Sequence, residues 1–500
     1  MLLAGLGSTL ASELGLAYAD AGDLPNQLSF GSLEPLVALM QDTEPAKLTA
    51  LLVDRLKSGT TLQTLVAAGA LANARTFGGQ DYVGFHTFMA LAPAYRMARE
   101  LPAEQRPLPI LKVLYRNANR IQEFGGRKNE VLHEIKAEPI PAGTNAGEYL
   151  REMSRSGDIE KADRTFATLT NGPLGEAFNH LQFSVDDEVD VHRVVLAWRA
   201  WDTLELAGQE WANCLLRQSV RYCAKTESEI ISRGQKTSNV RTVLPALLDQ
   251  YKLLDRPLGT QQGDDAWVQE LANVMFRGSR EQGAEAIAHA LSEGFAPESI
   301  GEAMSLAANM LVLHDPGRTE KRSNADKPAG SCHGDSVGVH ASDAANAWRN
   351  IVRVSNPRNV VASLVVGGFH TAGQAEYASA GPYPSPEHLA SVEAGDAQGL
   401  LRETESAIRA SDQFHAAAAM ARYTDLGHDP APAFALMLQF ATSEDGALHA
   451  EKYYTTARVE YATMRPAFRS NQLTALARVT ASEYGHESAG YEEAKKLLNV

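Results

Sequence analysis

Cysteine is scarce: Cys214, Cys223 and Cys332 are the only three in 500 residues. That is too few for a disulfide framework, and it predicts buried or incidental thiols in a reducing, cytoplasmic setting. Positive charge is also in deficit. With 46 Lys and Arg against 61 Asp and Glu, the chain carries a formal charge of −15. No basic surplus exists to neutralise phosphates, which argues against a general binder of nucleic acid or of an anionic membrane. Long apolar runs are missing as well. The opening stretch MLLAGLGSTLASELGLAYADAG is apolar but has no basic n-region, and Glu13 interrupts it before it could span a bilayer. Alternating β-branched runs closed by Asn-Gly or Asp-Gly turns are almost absent. So are the short catalytic motifs. No GxGxxG opens a strand–helix unit, and there is no GxxxxGK[ST], HExxH, CxxC or GxSxG. Nucleotide, flavin, zinc-protease and serine-elbow chemistries therefore have no motif behind them.

What the chain does have is helical periodicity. PAKLTALLVDRLKSG, TLQTLVAAGALANAR, GAEAIAHALSEG, FHAAAAMARYTDLG and the long run from Val191 to Lys225 repeat apolar residues every three to four positions and are rich in Ala and Leu. The fold class predicted is all-α: one large helical domain over residues 1–500, with approximate halves 1–245 and 246–500. Three stretches dense in Pro, Gly, Ser and charge read as connectors, at 136–149, 316–335 and 377–396.

One short phrase is written repeatedly. DYVGFHTFMALAPAYR (81–96), DEVDVHRVVLAWR (187–199), DSVGVHASDAANAWR (335–349) and EDGALHAEKYYTTAR (444–458) each place an acid five residues before a histidine. The acids are Asp81, Asp187, Asp335 and Glu444. The histidines are His86, His192, His340 and His449, and each copy closes on Arg. The acid alone is weak evidence in a chain with 61 of them. The Ala-aromatic-Arg ending of three copies carries the pattern. It predicts a repeated helical unit of a hundred or more residues, with the units packed around a central cavity, a period far longer than that of the common helical repeats.

The acids read as helix N-caps, since a carboxylate there accepts orphan backbone N–H groups and suits the helix dipole. Each histidine, placed a turn or two into its helix among apolar neighbours, reads as inward-facing. One buried histidine is usually a satisfied core residue. Four at equivalent points of packed units would converge, and neutral imidazoles meeting at a point suit iron, copper, nickel or zinc. Lys452 follows His449 by three residues and shares its helix face. Beside a metal it must lose its proton or become a carbamate, unless it reaches out to solvent. Trp198, Trp348, Tyr95 and Tyr453 could line a pocket or simply pack helices.

At DGALHAEK, with Asp445, His449 and Lys452, the sequence resembles the questin oxidase-like family, which carries an Asp and then H-x-x-K near its C-terminus. GFHTFMALAPAYRMA and VHASDAANAWR resemble two further phrases of that family. The likeness runs over roughly residues 45 to 485 in short islands. It departs from many relatives at Pro93, where they carry a second histidine and where a proline should bend the helix, and copy two is the least similar. The resemblance implies an all-helical, metal-dependent oxygenase acting with dioxygen on aromatic polyketide rings such as anthraquinones. His86, His192, His340 and His449 would be ligands of non-heme iron, and Lys452, as a free amine or a carbamate, a fifth group.

His180, His314 and His370 are rival ligands, His370 because Gly367 and Gly368 beside it allow another group to approach. Cys332-His333 sits in a polar stretch and reads as exposed, without the spacing of a zinc site. A second reading is a helical-repeat interaction scaffold whose histidines form a structural core or a closed metal site. A third is a metal-dependent hydrolase.

Overall fold

Helix follows helix, as the Ala and Leu periodicity predicts. The computed structural model describes residues 27–325, 327–332, 336–378, 381–444, 447–483 and 486–500. The fold is all-α: 73% of it is helical. Among the described residues there are twenty-three α-helices and no strand, only two isolated bridges, Gln27 with His133 and Gln261 with Phe295. None of these helices is long and apolar enough to cross a membrane. The apolar opening stretch lies outside the described residues. Of the three connectors, the one at 377–396 contains a short helix, Pro386–Ala390, started by a capping box on Ser385.

The chain forms two compact units. The first holds the described residues up to Ala177 together with Arg199–Glu229 and Ala489–Val500. The second holds Phe178–Trp198 and Ile230–Ser488. The chain-order halves at 1–245 and 246–500 are a different division.

In the first unit, helix Leu62–Phe77 is buried almost from end to end and packs against Tyr82–Glu100 and Pro107–Phe124. Thr61 caps its start, accepting from the Thr64 N–H, and Gly78 ends it in the left-handed region at φ 52°, a conformation cheap only for glycine. Several buried polar side chains in this core make multiple bonds. The Asn73 side-chain amide donates to Gly84 O, Thr87 Oγ1 and Asn117 Oδ1. Buried Arg75 meets Glu34 at 2.8 Å and Glu130 at 3.1 Å. Pro93 sits inside Tyr82–Glu100, which stays helical throughout.

The second unit is built around Pro297–Leu313, Val337–Val354 and Pro357–Ala372, which pack on one another, and His449–Thr463, which packs on Val337–Val354. Val337–Val354 is buried along most of its length, because small residues let its neighbours close in. A Cβ added at Gly338 would stand 2.7 Å from Val312 Cα. Arg349 crosses this core 1% exposed, paired at 2.5 Å with both Glu460 and Glu298.

The arginines that close the repeated phrase thus have structural roles. In the first unit Arg96 pairs with Asp202, one of its contacts being 2.7 Å, and Arg199 lies 3.4 Å from the same carboxylate. Arg458 lies over the Phe434 ring at 4.5 Å.

Candidate metal centre

The four phrases do start or precede four helices, but their histidines stand at different depths. His86 is the fifth residue of Tyr82–Glu100, His340 the fourth of Val337–Val354, His192 the second of Val191–Ala207, and His449 the first of His449–Thr463. The capping role expected of the acids is met by Asp81. Asp81 accepts from the Gly84 N–H at 2.7 Å and is gripped by Arg120 at 2.6 Å. Burial pushes its carboxyl up, but these partners outweigh that and hold it below its usual range. Asp187 faces Arg241 instead, at 3.6 Å. Glu444 lies upstream of a helix whose N-cap makes no side-chain bond. Asp335 lies outside the described residues, and Ser336 caps that helix.

In the second unit three of the histidines come together. His340 is the middle ring, 5.8 Å from His192 at an interplanar angle of 73° and 5.5 Å from His449 at 53°. The Nε2 atoms of all three are buried. Asp190 organises the first of them. Its Oδ1 accepts from the His192 backbone N–H at 3.0 Å and from the ring Nδ1 at 3.2 Å. A carboxylate on Nδ1 fixes the tautomer with its proton there and makes Nε2 the lone-pair nitrogen, the arrangement that metal-binding histidines adopt. The acid that meets this ring is thus Asp190, beside the helix start, and the spacing of five residues expected from the repeated phrase points instead to Asp187.

His449 owes its position to a strained residue. Leu448, fully buried, adopts φ 55° and ψ 37°, a left-handed conformation that costs a residue with a side chain about 1 to 3 kcal/mol. Asp445 of the phrase lies outside the described residues. Lys452 does not reach solvent. It is 2% exposed, and its Nζ donates to Ala447 O at 3.2 Å.

The chemistry of this donor set suits a transition metal. Two imidazoles sharing an ion through bonds of about 2.1 Å have centroids roughly 4.5 to 5.5 Å apart. The observed separations are at or just beyond the upper end. Accordingly, among the described residues no three His, Cys, Asp or Glu donors lie close enough together to hold an ion.

His86 belongs to the first unit. It is buried, its Nδ1 donates to Tyr82 O at 2.7 Å, and its ring lies against Tyr82 and Phe85. Of the rivals, His370 is buried and its Nδ1 takes the indole N–H of Trp348 at 3.4 Å, so its own proton sits on Nε2. Burial pushes its pKa down to about 4, with Asp190 opposing and Arg280 assisting, and the ring is neutral at physiological pH. As expected, its neighbouring glycines permit a close approach: a Cβ on Gly368 would stand 2.3 Å from Ile287 Cδ1. His314 rests on Phe276, with centroids 4.8 Å apart. His180 is half-buried on helix Leu174–Val185.

Cys332 is a correction to the sequence reading. It is fully buried, and burial pushes its thiol up to about 12; His333 lies outside the described residues. Trp348 and Tyr453 are buried, while Tyr95 and Trp198 are partly exposed. Burial raises the Tyr453 phenol well above its ordinary range.

No family model matches the chain, and neither does any curated protein or solved structure.

Proposed function

We propose that the His192–His340–His449 trio is a non-heme metal centre, with iron as its metal, and that the protein is an oxygenase cleaving or inserting oxygen into a C–C bond of an aromatic or quinone-type small molecule. The observation that carries this reading is the run of three imidazoles with centroids 5.5 and 5.8 Å apart. Three imidazoles from distant points of the chain lying against one another are a donor set that a metal would use. The oxygenase chemistry itself is inferred from the likeness of the phrases around His86, His340 and His449 to the questin oxidase-like family.

Bound there, iron would supply activation of dioxygen. The chain's own residues do the rest. Asp190 holds the His192 ring in one tautomer. Buried His370 stays neutral near the same carboxylate, so it adds no cation to repel a metal. Lys452 keeps its nitrogen on the Ala447 carbonyl, three residues along the helix from His449. Burial of all three Nε2 atoms excludes bulk water, as a centre handling reactive oxygen requires.

Elemental analysis of the purified protein and of His340→Ala tests this. His340 touches both other rings, so stoichiometric iron in the parent and its loss in the variant are expected, with an absorption spectrum that changes on admitting air. A parent without metal, or one with zinc indifferent to oxygen, would leave the scaffold reading in possession. Metal with no oxygen response but with hydrolysis would point to the metal-dependent hydrolase.

A further inference from the structure

A different cluster in the second unit has the parts of a nucleophilic hydrolase. Ser391 ends the short helix Pro386–Ala390, Glu403 lies on Ala397–Arg409, and His415 lies on Gln413–Asp425. Ser391 Oγ is 3.1 Å from His415 Nδ1, and His415 Nε2 is 2.7 Å from Glu403 Oε1. Both distances fall within the hydrogen-bond reach that a nucleophile, its base and the base's orienting group require.

The three residues line a surface groove of about 670 Å³, together with Glu393, Arg402 and Asp412. Ser391 is exposed, while the His415 and Glu403 side chains are 26% and 16% exposed. The nucleophile is therefore open to a ligand and its supporting pair is sheltered.

Glu403 is fixed before any ligand arrives. Its two oxygens accept from the backbone N–H groups of Glu393 and Ala394 at 3.1 and 2.9 Å. Burial pushes its carboxyl up, but these bonds and His415 outweigh it and hold Glu403 below the usual range, so it is an anion at neutral pH. An anion on Nε2 keeps the proton there and turns the Nδ1 lone pair toward Ser391. The serine hydroxyl also lies 2.8 Å from His388 O, and its single proton serves either that carbonyl or Nδ1. Rotation about one bond switches between them.

We infer that Ser391, His415 and Glu403 form a second catalytic site, a serine hydrolase centre for short, unbranched, uncharged carboxylic esters. The substrate class follows from the groove. Its lining has no large apolar side chain to hold a long acyl chain, only small residues such as Gly399, Ala407 and Ala410, and the carboxylates of Glu393 and Asp412 disfavour anionic substrates. In the reaction, Ser391 Oγ bonds to the ester carbonyl carbon as its proton passes to Nδ1. The Glu403 carboxylate stabilises the imidazolium. The C–O bond to the alcohol breaks, and the alcohol leaves with the proton from His415. Water then adds to the acyl carbon, giving its proton to Nδ1. The carboxylic acid departs and the proton returns to Ser391.

The test uses the full chain in the presence of EDTA, which separates this site from the histidine trio. A fluorophosphonate probe should phosphonylate Ser391, forming an Oγ–P bond and expelling fluoride, as read by peptide mass spectrometry. Hydrolysis of p-nitrophenyl acetate should fall at least about 100-fold in Ser391→Ala and in His415→Gln. Glu403→Gln should fall at least about tenfold with an unchanged circular dichroism spectrum, which keeps the test decisive if the His415 variant does not fold. An unlabelled Ser391, or hydrolysis that survives in Ser391→Ala, overturns the assignment.

Discussion

The indole N–H of Trp348 donates to Nδ1 of His370 across 3.4 Å, deep in the second unit. Burial holds the folded His370 ring at a pKa of about 4 against an ordinary value of 6.5. Between those pH values the unfolded chain binds a proton that the folded one refuses, so this residue's contribution to stability falls as pH drops from 6.5 toward 4 and levels off below. Asp186 does the opposite. Its burial outweighs its pairing with Arg358 and raises its pKa to about 6, so the folded chain holds the extra proton between about 3.8 and 6 and gains stability as pH drops through that window. The two effects oppose each other in the parent. His370→Gln removes one of them. Urea unfolding at pH 7 and pH 4 is expected to show the variant gaining about 3 kcal/mol on the parent over that range. A difference that does not move with pH would mean that the folded ring takes up its proton at the same pH as the unfolded one.

Asp190 positions the His192 ring through Nδ1. Asp190→Asn keeps a group that can cap the helix but removes the anion on Nδ1. Metal affinity, measured by competition with a chromophoric chelator, should fall about 10- to 100-fold, with thermal stability nearly kept. Unchanged affinity would show that the His192 ring is not a ligand.

All-α architecture was open to reading because Ala- and Leu-rich periodicity acts locally and needs no partner to be recognised. The trio was open too, through a phrase written repeatedly around His192, His340 and His449. What escaped were relations set by packing. Nothing local says that Asp190, and not Asp187, meets the ring of His192, because the helix start decides it. The burial of Lys452 depends on the neighbouring helices, since a lone helix would let it reach water. Ser391, Glu403 and His415 come from three separate helical segments and follow no motif. Only the folding of those segments onto one another brings their side chains within hydrogen-bond distance.

Arg349 is 1% exposed and bridges Glu460 and Glu298 at 2.5 Å each. Glu460 is itself buried. Arg349→Leu strands that carboxylate, and a loss of about 3 to 5 kcal/mol is expected in denaturant unfolding. Arg349→Leu combined with Glu460→Leu should recover much of it, because the cost lies in the orphaned charge more than in the lost pair. A double variant as unstable as the single would mean that the arginine's stem packing carries the energy.

Two helical glycines separate packing against backbone from packing against a flexible side chain. A Cβ at Gly338 would stand 2.7 and 2.8 Å from Val312 Cα and N and 2.9 Å from Leu311 O, all backbone atoms. A Cβ at Gly367 would meet Met304 Sδ at 2.5 Å, the far end of a side chain that can turn away, with the Trp348 ring at 3.2 Å. Alanine gains about 1 kcal/mol over glycine in a helix, while overpacking costs about 1 to 3 kcal/mol. At Gly367 these nearly offset. At Gly338 the backbone cannot yield unless the two helices separate, and the cost prevails. Gly338→Ala should therefore melt well below the parent and Gly367→Ala close to it. Because Gly338 lies two residues before His340, the first variant should also lose bound metal. Equal melting temperatures for the two would refute close contact between Val337–Val354 and Pro297–Leu313.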